Sequence, residues 1–404
     1  MAKKSIADLG DLAGKKVLIR VDFNVPLDKV SGEIKNDRRI RGAIPTLKAL
    51  LKAGASIVAM SHLGRPSGDV AKDKMLTMDR VVERLADLLG KPVKKAGSAV
   101  VGPEVTATVA AMQPGDVVML ENVRFDPREQ KNDPDFAAAI AALGDAYVND
   151  AFGTCHNDHD ASMVAVPAAL KAAGKPRAVG LLVAKELEVI EGLMGHPKSP
   201  VLAVMGGAKV SDKIAFINAL LKKVDHLLIG GKMAYTFLKL TGFDVGATRV
   251  ADEELAAATP LLHFVGSKIT LPVDCLAAKS DDLEVTKHLL VAPTDGIPAG
   301  YEGVDIGPRT LELFSSKIAA SGTVIWNGPV GWFEKTAFSK GTKGIAKAMA
   351  ESNAITVVGG GETAEAVEQF GYDDKMTHVS TGGGAFLAYV EGKPFQSLAQ
   401  IDDQ

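Results

Sequence analysis

Short apolar runs rich in Val, Leu and Ile recur along this chain, each followed by a polar or glycine turn and a helical pattern. KKVLIRVDFNV, ASIVAMSH, DVVMLENV and DAYVNDAF are strand candidates in the first half. RIRGAIPTLKALLKAG, ended by Gly54, and MDRVVERLADLLG are helical patterns between them. Runs that are apolar on both faces suit strands covered on both sides. The pattern therefore predicts an α/β fold, with a parallel sheet flanked by helices. Ligands in such a fold bind at the carboxyl ends of the strands. At 404 residues the chain is too long for one core of ordinary size, so two domains are expected. Residues 168–200 break the alternation: AALKAAGKPRAVG is small and polar, GLLVAKELEVIEGLMG reads as one long amphipathic helix, and HPKSP ends it. PVLAVMGG, HLLIGG, KITLPVD, TVIWNG and AITVVGG are strands of a second alternating half. The expected division is residues 1–175 for one domain, 176–198 for an interdomain helix and hinge, 199–390 for a second domain and 391–404 for a tail.

The net charge of -3 gives no global attraction to nucleic acid or to a membrane surface. An acidic ligand must be held by a local basic cluster. Two cysteines, Cys155 and Cys275, make no disulfide framework and suit a reducing cytoplasm. No apolar run approaches a membrane span, and the first residues do not read as a signal peptide.

Polar residues gather where strands end. Asp22 and Asn24 close the first strand; His62 and Arg65 follow the second and Arg124 the third; Arg38, Arg39 and Arg41 crowd the start of the first helix. Several cations converging on one sheet edge suggest a small anion, a phosphate or carboxylate, since arginine binds both bidentately. In the second half the signal is glycine. MGGAKVSDK carries Gly206, Gly207, Lys209 and Lys213, with Ser211 as a candidate helix N-cap. WNGPVG, VGGGETA and STGGGAF repeat glycine at later strand ends. Four such turns with two lysines fit a nucleotide polyphosphate, because glycine lets the backbone approach a phosphate. No P-loop signature, no G-x-G-x-x-G after the first strand and no G-x-S-x-G elbow is present. Glu362 is placed either to hold Mg²⁺ beside a nucleotide or to face the dipole of its own helix.

FGTCHNDHD, residues 152–160, raises a metal question. Zinc ligands usually come from two separated clusters, whereas Cys155 and His156 are adjacent. The loop follows a strand, at the edge where His62, Arg65 and Arg124 converge, and reads as part of the anion site.

Taken in order, RVDFNVP, NDRRIR, SHLGRP, ENVRF, NDAFGT, GGAKVSDK, MAYTFLK, DIGP, WNGPVGWFE, VGGGETA and STGGGA resemble the phosphoglycerate kinase family over nearly the whole chain. The resemblance implies two Rossmann-like domains facing each other across a hinged cleft. The first would bind 3-phosphoglycerate or 1,3-bisphosphoglycerate and the second Mg²⁺ with ADP or ATP. The tail would pack back on the first domain, and members are usually monomers. Asp22 and Asn24 would contact the glycerate end, and His62, Arg65 and Arg124 the 3-phosphate. Arg39, which directly precedes Ile40, would face the phosphoryl group in flight, and Lys209 would follow it. Lys213 would lie on the nucleotide phosphates. Gly207, Ala208, Lys232, Asn327, Pro329, Glu334, Gly361, Glu362 and Thr363 match nucleotide-side positions, with Glu334 at the ribose and Glu362 at Mg²⁺. Gly382, Gly383 and Gly384 match the turn whose amides face the transferred group. Three positions depart from the family pattern. Asn157 stands where an arginine is usual, in a loop one residue longer; Lys232 replaces a glycine; Glu362 replaces an aspartate. A kinase for a related small acid stays open on the first departure. The presence of Arg39, Lys209 and Lys213 speaks against a catalytically weakened relative.

Overall fold

The structure, a computed structural model, describes residues 3–279, 288–291 and 296–404. It separates into two compact units: Met1–Glu188 with Pro394–Gln404, and Val189–Lys393. The division falls inside the helix Leu181–Gly195, which the sequence pattern read as one long helix.

The first unit is built on six strands: β1 (Lys16–Val21), β2 (Ser56–Met60), β3 (Lys94–Lys95), β4 (Val117–Met119), β5 (Ala146–Asp150) and β6 (Arg177–Val179). Their order is β3-β4-β2-β1-β5-β6, and every pairing is parallel. Val17, Ile19 and Val21 of β1 pack with Ile57 and Ala59 of β2 and with Ile40, Leu47 and Leu50 of the helix Arg38–Lys52. All five residues of β2 and of β5 are buried, as strands covered on both faces require. The chain leaves β1 towards β2 on one side and returns to β5 on the other, so the sheet has its topological switch beside β1.

The second unit adds β7 (Val201–Met205), β8 (His226–Ile229), β9 (Ile269–Thr270), β10 (Cys275–Lys279), β11 (His288–Val291), β12 (Tyr301–Ile306), β13 (Thr323–Asn327), β14 (Ile355–Gly359) and β15 (His378–Val379). Six of these form a second parallel sheet in the order β15-β14-β13-β7-β8-β9, with its switch at β7 and β13. Trp326, Phe314, Ile345 and Val358 are buried at its core.

Four local expectations are corrected. Residues 168–200 do not break the alternation, because the helix Ala165–Ala172 and strand β6 run through its first part; Ala-rich helices and a three-residue strand leave too weak a periodic signal. KITLPVD yields only the two-residue β9. The antiparallel sheet β11-β10-β12 was not foreseen. Ser211 is not an N-cap: it opens a 3-10 turn, Ser211–Lys213, and Lys213 precedes the α-helix Ile214–Leu221. That tight turn folds the Lys213 side chain back towards Gly206.

Candidate active site

In the first unit, Asp22, Asn24, Arg39, His62, Arg65, Arg124 and Asn157 line one cavity of about 650 Å³. They come from the ends of β1, β2, β4 and β5 and from the first turn of the helix Arg38–Lys52. Arg39 Nη1 donates to both carboxylate oxygens of Asp22, at 2.9 and 2.8 Å. Burial pushes the Asp22 carboxyl up, but the charge of Arg39, with that of Arg20 and the Asn24 amide, more than offsets this and holds it below its ordinary value. Asn24 is fixed by accepting from the Gly64 amide at 2.8 Å. Asn122 ties the neighbouring turns together. Its amide donates to the carbonyls of Leu63 and Leu76 at 2.8 and 2.9 Å, and its oxygen accepts from the Arg124 amide at 3.2 Å. Arg65 is exposed at the rim.

The sequence reasoning passed over Arg20, a fully buried arginine inside β1. Its Nη2 lies 3.2 Å from His62 Nδ1. A guanidinium only donates, so Nδ1 accepts and Nε2 carries the imidazole proton. Burial, then the charge of Arg20, lowers the His62 pKa to about 3. His62 is thus a neutral N–H donor rather than a cation. Arg20 Nε donates to Ser162 Oγ at 2.9 Å, and Ser162 Oγ donates to buried Glu129 at 2.5 Å. A charge in the middle of VLIRV was the visible signal, since a buried arginine must be paired. Gln130, Thr154 and His156 also line the cavity.

The loop 152–160 folds as a short turn in which Cys155 is buried and its thiol faces Asn149 and the Ala151 carbonyl. Among the described residues no three His, Cys, Asp or Glu side chains form a metal-holding group.

In the second unit, Gly207, Ala208, Lys232, Pro329, Glu334 and Glu362 line a second cavity of about 390 Å³, together with Tyr235, Glu302, Asp305 and Trp332, which the sequence did not single out. Glycine closes this end of the sheet. A Cβ on Gly206 would collide with the Pro329 carbonyl, and Gly328 has φ 91° with no room before the Gly206 carbonyl. Those contacts let Gly206 and Gly207 donate to the carbonyls of Asn327 and Pro329 at 3.0 and 2.9 Å. Lys213 donates to Gly206 O at 2.8 Å and to Asn327 Oδ1 at 2.7 Å, and the Asn327 amide donates to Gly359 O at 2.8 Å. Burial lowers the Lys213 pKa to about 8 against the opposing charges of Glu362 and Asp212. Thr363 accepts from the Gly328 amide at 2.7 Å. Gly361 and Glu362 form the first turn of the helix Gly361–Gln369. A Cβ on Gly383 would lie 4.0 Å from the Gly361 amide, which puts the Gly382–Gly384 turn beside that helix start. Lys213, Asn327, Gly361, Thr363 and the Gly382–Gly384 turn flank the cavity rather than line it, and Lys209 is exposed outside it.

The donor set fits Mg²⁺ brought with a nucleotide. Glu362 is an exposed carboxylate at the cavity, in the first turn of its helix, and Mg²⁺ is usually held by one or two carboxylates with phosphates and water.

The comparisons with known proteins agree over the whole length. A model of the phosphoglycerate kinase family matches residues 6–393. The phosphoglycerate kinase of Rubrobacter xylanophilus is 47% identical over 404 residues, covering 100% of this chain and 99% of that one. That of Chloroflexus aurantiacus is 49% identical over 411 residues, covering 100% of each. Among solved structures, phosphoglycerate kinase from Coxiella burnetii superposes with a TM-score of 0.82 at 36% identity, covering 98% of each chain. Phosphoglycerate kinase from Pyrococcus horikoshii OT3 superposes with a TM-score of 0.83 at 29% identity, covering 99% of this chain and 98% of that one. This chain belongs to the phosphoglycerate kinase family.

Proposed function

We propose that the chain transfers the acyl phosphate of 1,3-bisphosphoglycerate to ADP, reversibly, giving 3-phosphoglycerate and ATP. The first cavity takes the glycerate ligand and the second the nucleotide. The observation that carries this reading is the first cavity itself: Arg39, Arg65, Arg124 and the neutral donor His62 at the carboxyl ends of one parallel sheet. In the direction of ATP use the acceptor is a carboxylate, ionised at neutral pH, so no general base is required. The chemistry then needs two anions in line and cancellation of the charge on the transferred group.

Arg39 is the cation we assign to that group. Its Asp22 partner holds the guanidinium in place until an anion arrives. Lys209, exposed and with no ion pair among the described residues, is assigned to follow the phosphoryl group. The amides of Gly383 and Gly384, at the start of the helix Gly384–Val390, supply further donors. Lys213, released from Gly206 and Asn327, binds the nucleotide phosphates. Pro329 and Glu334 shape the nucleoside end. Glu362 would hold Mg²⁺, through the nucleotide or a water, and the ion would neutralise polyphosphate charge when bound. Asn157 is left as a neutral neighbour of the glycerate site.

No helix among the described residues is long and apolar enough to cross a membrane. The two buried, unbridged cysteines suit a cytoplasmic protein, and we read it as a monomer. The test is a coupled assay: ATP, Mg²⁺ and 3-phosphoglycerate, with 1,3-bisphosphoglycerate formation read as NADH oxidation. Turnover is expected, and its absence from folded protein would sink the assignment.

A further inference from the structure

Asp160, in the loop after β5, has no place in the functions assigned above. Its side chain is 4% exposed. Its Oδ2 accepts from Asn157 Nδ2 at 3.1 Å and from Arg124 Nη2 at 3.4 Å. Both donors line the first cavity, whereas Asp160 stands behind them. The backbone fixes it there: its carbonyl accepts from the amides of Met163 and Val164 at 2.9 and 3.1 Å. A rigid negative charge therefore backs one arginine of an anion-binding wall.

Arg124 is loosely held for a guanidinium with five donors. Its Nη1 reaches Gly64 O at 3.4 Å, its contact with Asp160 is equally long, and its buried Nε has no hydrogen-bond partner. It has donor capacity left for another anion. Of the three arginines at the cavity, Arg39 already faces Asp22 and Arg124 faces Asp160; Arg65 faces no carboxylate among the described residues. Because His62 is neutral, the wall is much less positive than its residue list suggests.

We propose that Asp160 sets the affinity of this site: its fixed charge, shared between Arg124 and Asn157, competes with the substrate phosphate for Arg124. The proposal rests on the reading of the first cavity as the 3-phosphoglycerate site. A phosphate engaging Arg124 meets Asp160 across that guanidinium, and two like charges on either side of one cation in a partly buried setting repel appreciably. The site thereby holds a doubly charged phosphate weakly and lets it go quickly. Asn157 suits this arrangement. It satisfies one lone pair of Asp160 without neutralising it, which an arginine at that position would do.

The test is calorimetric titration of 3-phosphoglycerate into the full chain and into Asp160→Asn, with KM for 3-phosphoglycerate and for ATP measured alongside. Asparagine keeps the shape and an accepting oxygen and removes only the charge. The expected result is binding tighter by on the order of tenfold, with KM for 3-phosphoglycerate falling and KM for ATP holding. Unchanged affinity overturns the proposal. So does weaker affinity that Asp160→Glu restores, because Asp160 then only positions Arg124. If Asp160→Asn does not fold, Asn157→Arg decides: it puts a cation beside Asp160 from a half-buried position, and the same tightening is expected. No tightening there overturns the proposal too. Wild-type protein that gives no heat with 3-phosphoglycerate overturns the reading of the cavity, and this proposal with it.

Discussion

Lys213 shows what a single residue contributes when its neighbours are spent on it. Its ammonium is tied to Gly206 O and Asn327 Oδ1, and burial brings its pKa down to about 8. Below that pH it is charged and attracts a polyphosphate; above it the neutral amine gives that attraction up. Nucleotide binding pulls the pKa back up, so ADP affinity is expected to fall as pH rises past about 8, by up to about tenfold per unit. Lys213→Arg stays charged, and its profile should be flat there even if the affinity is lower overall. Calorimetry from pH 7 to 10 measures both, and parallel profiles would remove Lys213 from the phosphate site. The motif GGAKVSDK made Lys213 visible in the sequence, because lysine among glycines after a strand has few other uses. His62 was visible as a ligand, but its charge state was not. That depends on its burial and then on Arg20, 42 residues away and hidden in an apolar strand. A strand pattern registers such a residue as an exception, and only the fold shows what it faces.

Helices in both units begin on carboxylates that the local sequence does not offer. Asp150, at the end of β5, accepts from the amides of Leu182 and Val183 at 3.0 and 3.4 Å, in the first turn of Leu181–Gly195. Asp305 in β12 accepts from Gly341 at 2.7 Å, at the start of Lys340–Glu351. Burial raises both carboxyls to about 7. Asp274 accepts from the amides of Arg309 and Thr310 at 3.0 and 2.7 Å and from the Thr310 hydroxyl at 2.7 Å, at the start of Pro308–Ala319. Caps supplied from 32 to 36 residues away cannot be found by scanning for Ser, Thr, Asp or Asn just before a helix. That is why Ser211 was a misleading signal while strand positions were easily read. Removing the Asp274 acceptors leaves the buried Thr310 amide and the part-buried Arg309 amide unpaired. Asp274→Ala is expected to cost about 2–4 kcal/mol in urea unfolding of the full chain, and Asp274→Asn distinctly less, since one accepting oxygen remains. Equal and small losses for the two would mean that water caps this helix.

At the scale of the whole chain, two alternating halves were legible because each repeats the same apolar rhythm around its own sheet. The apolar rhythm did not place the last residues, since KPFQSLAQIDDQ is too short to carry one; their packing on the first domain was only what the family resemblance implied. Its contacts join positions more than two hundred residues apart. Pro394–Gln404 belongs to the first unit. Phe395, Leu398 and Ile401 are buried, and the Phe395 ring lies 6.5 Å from that of Phe152. Ser397 Oγ donates to Cys155 O at 2.7 Å, the Gln396 amide donates to Asp158 at 3.1 Å, and Asp402 pairs with Arg177. The segment thus clamps the loop that brings Thr154, His156 and Asn157 to the first cavity. Ending the chain at Lys393 should destabilise it by several kcal/mol through the three lost apolar side chains, at roughly 1.5–3 kcal/mol each as an upper bound. It should also raise KM for 3-phosphoglycerate well above any change in KM for ATP, because the loosened loop belongs to the glycerate cavity alone. Urea unfolding and steady-state kinetics on the truncated chain give both numbers. Equal rises in the two KM values would show a general loss of order. A stability loss with both KM values unmoved would show that the loop keeps its shape without the clamp.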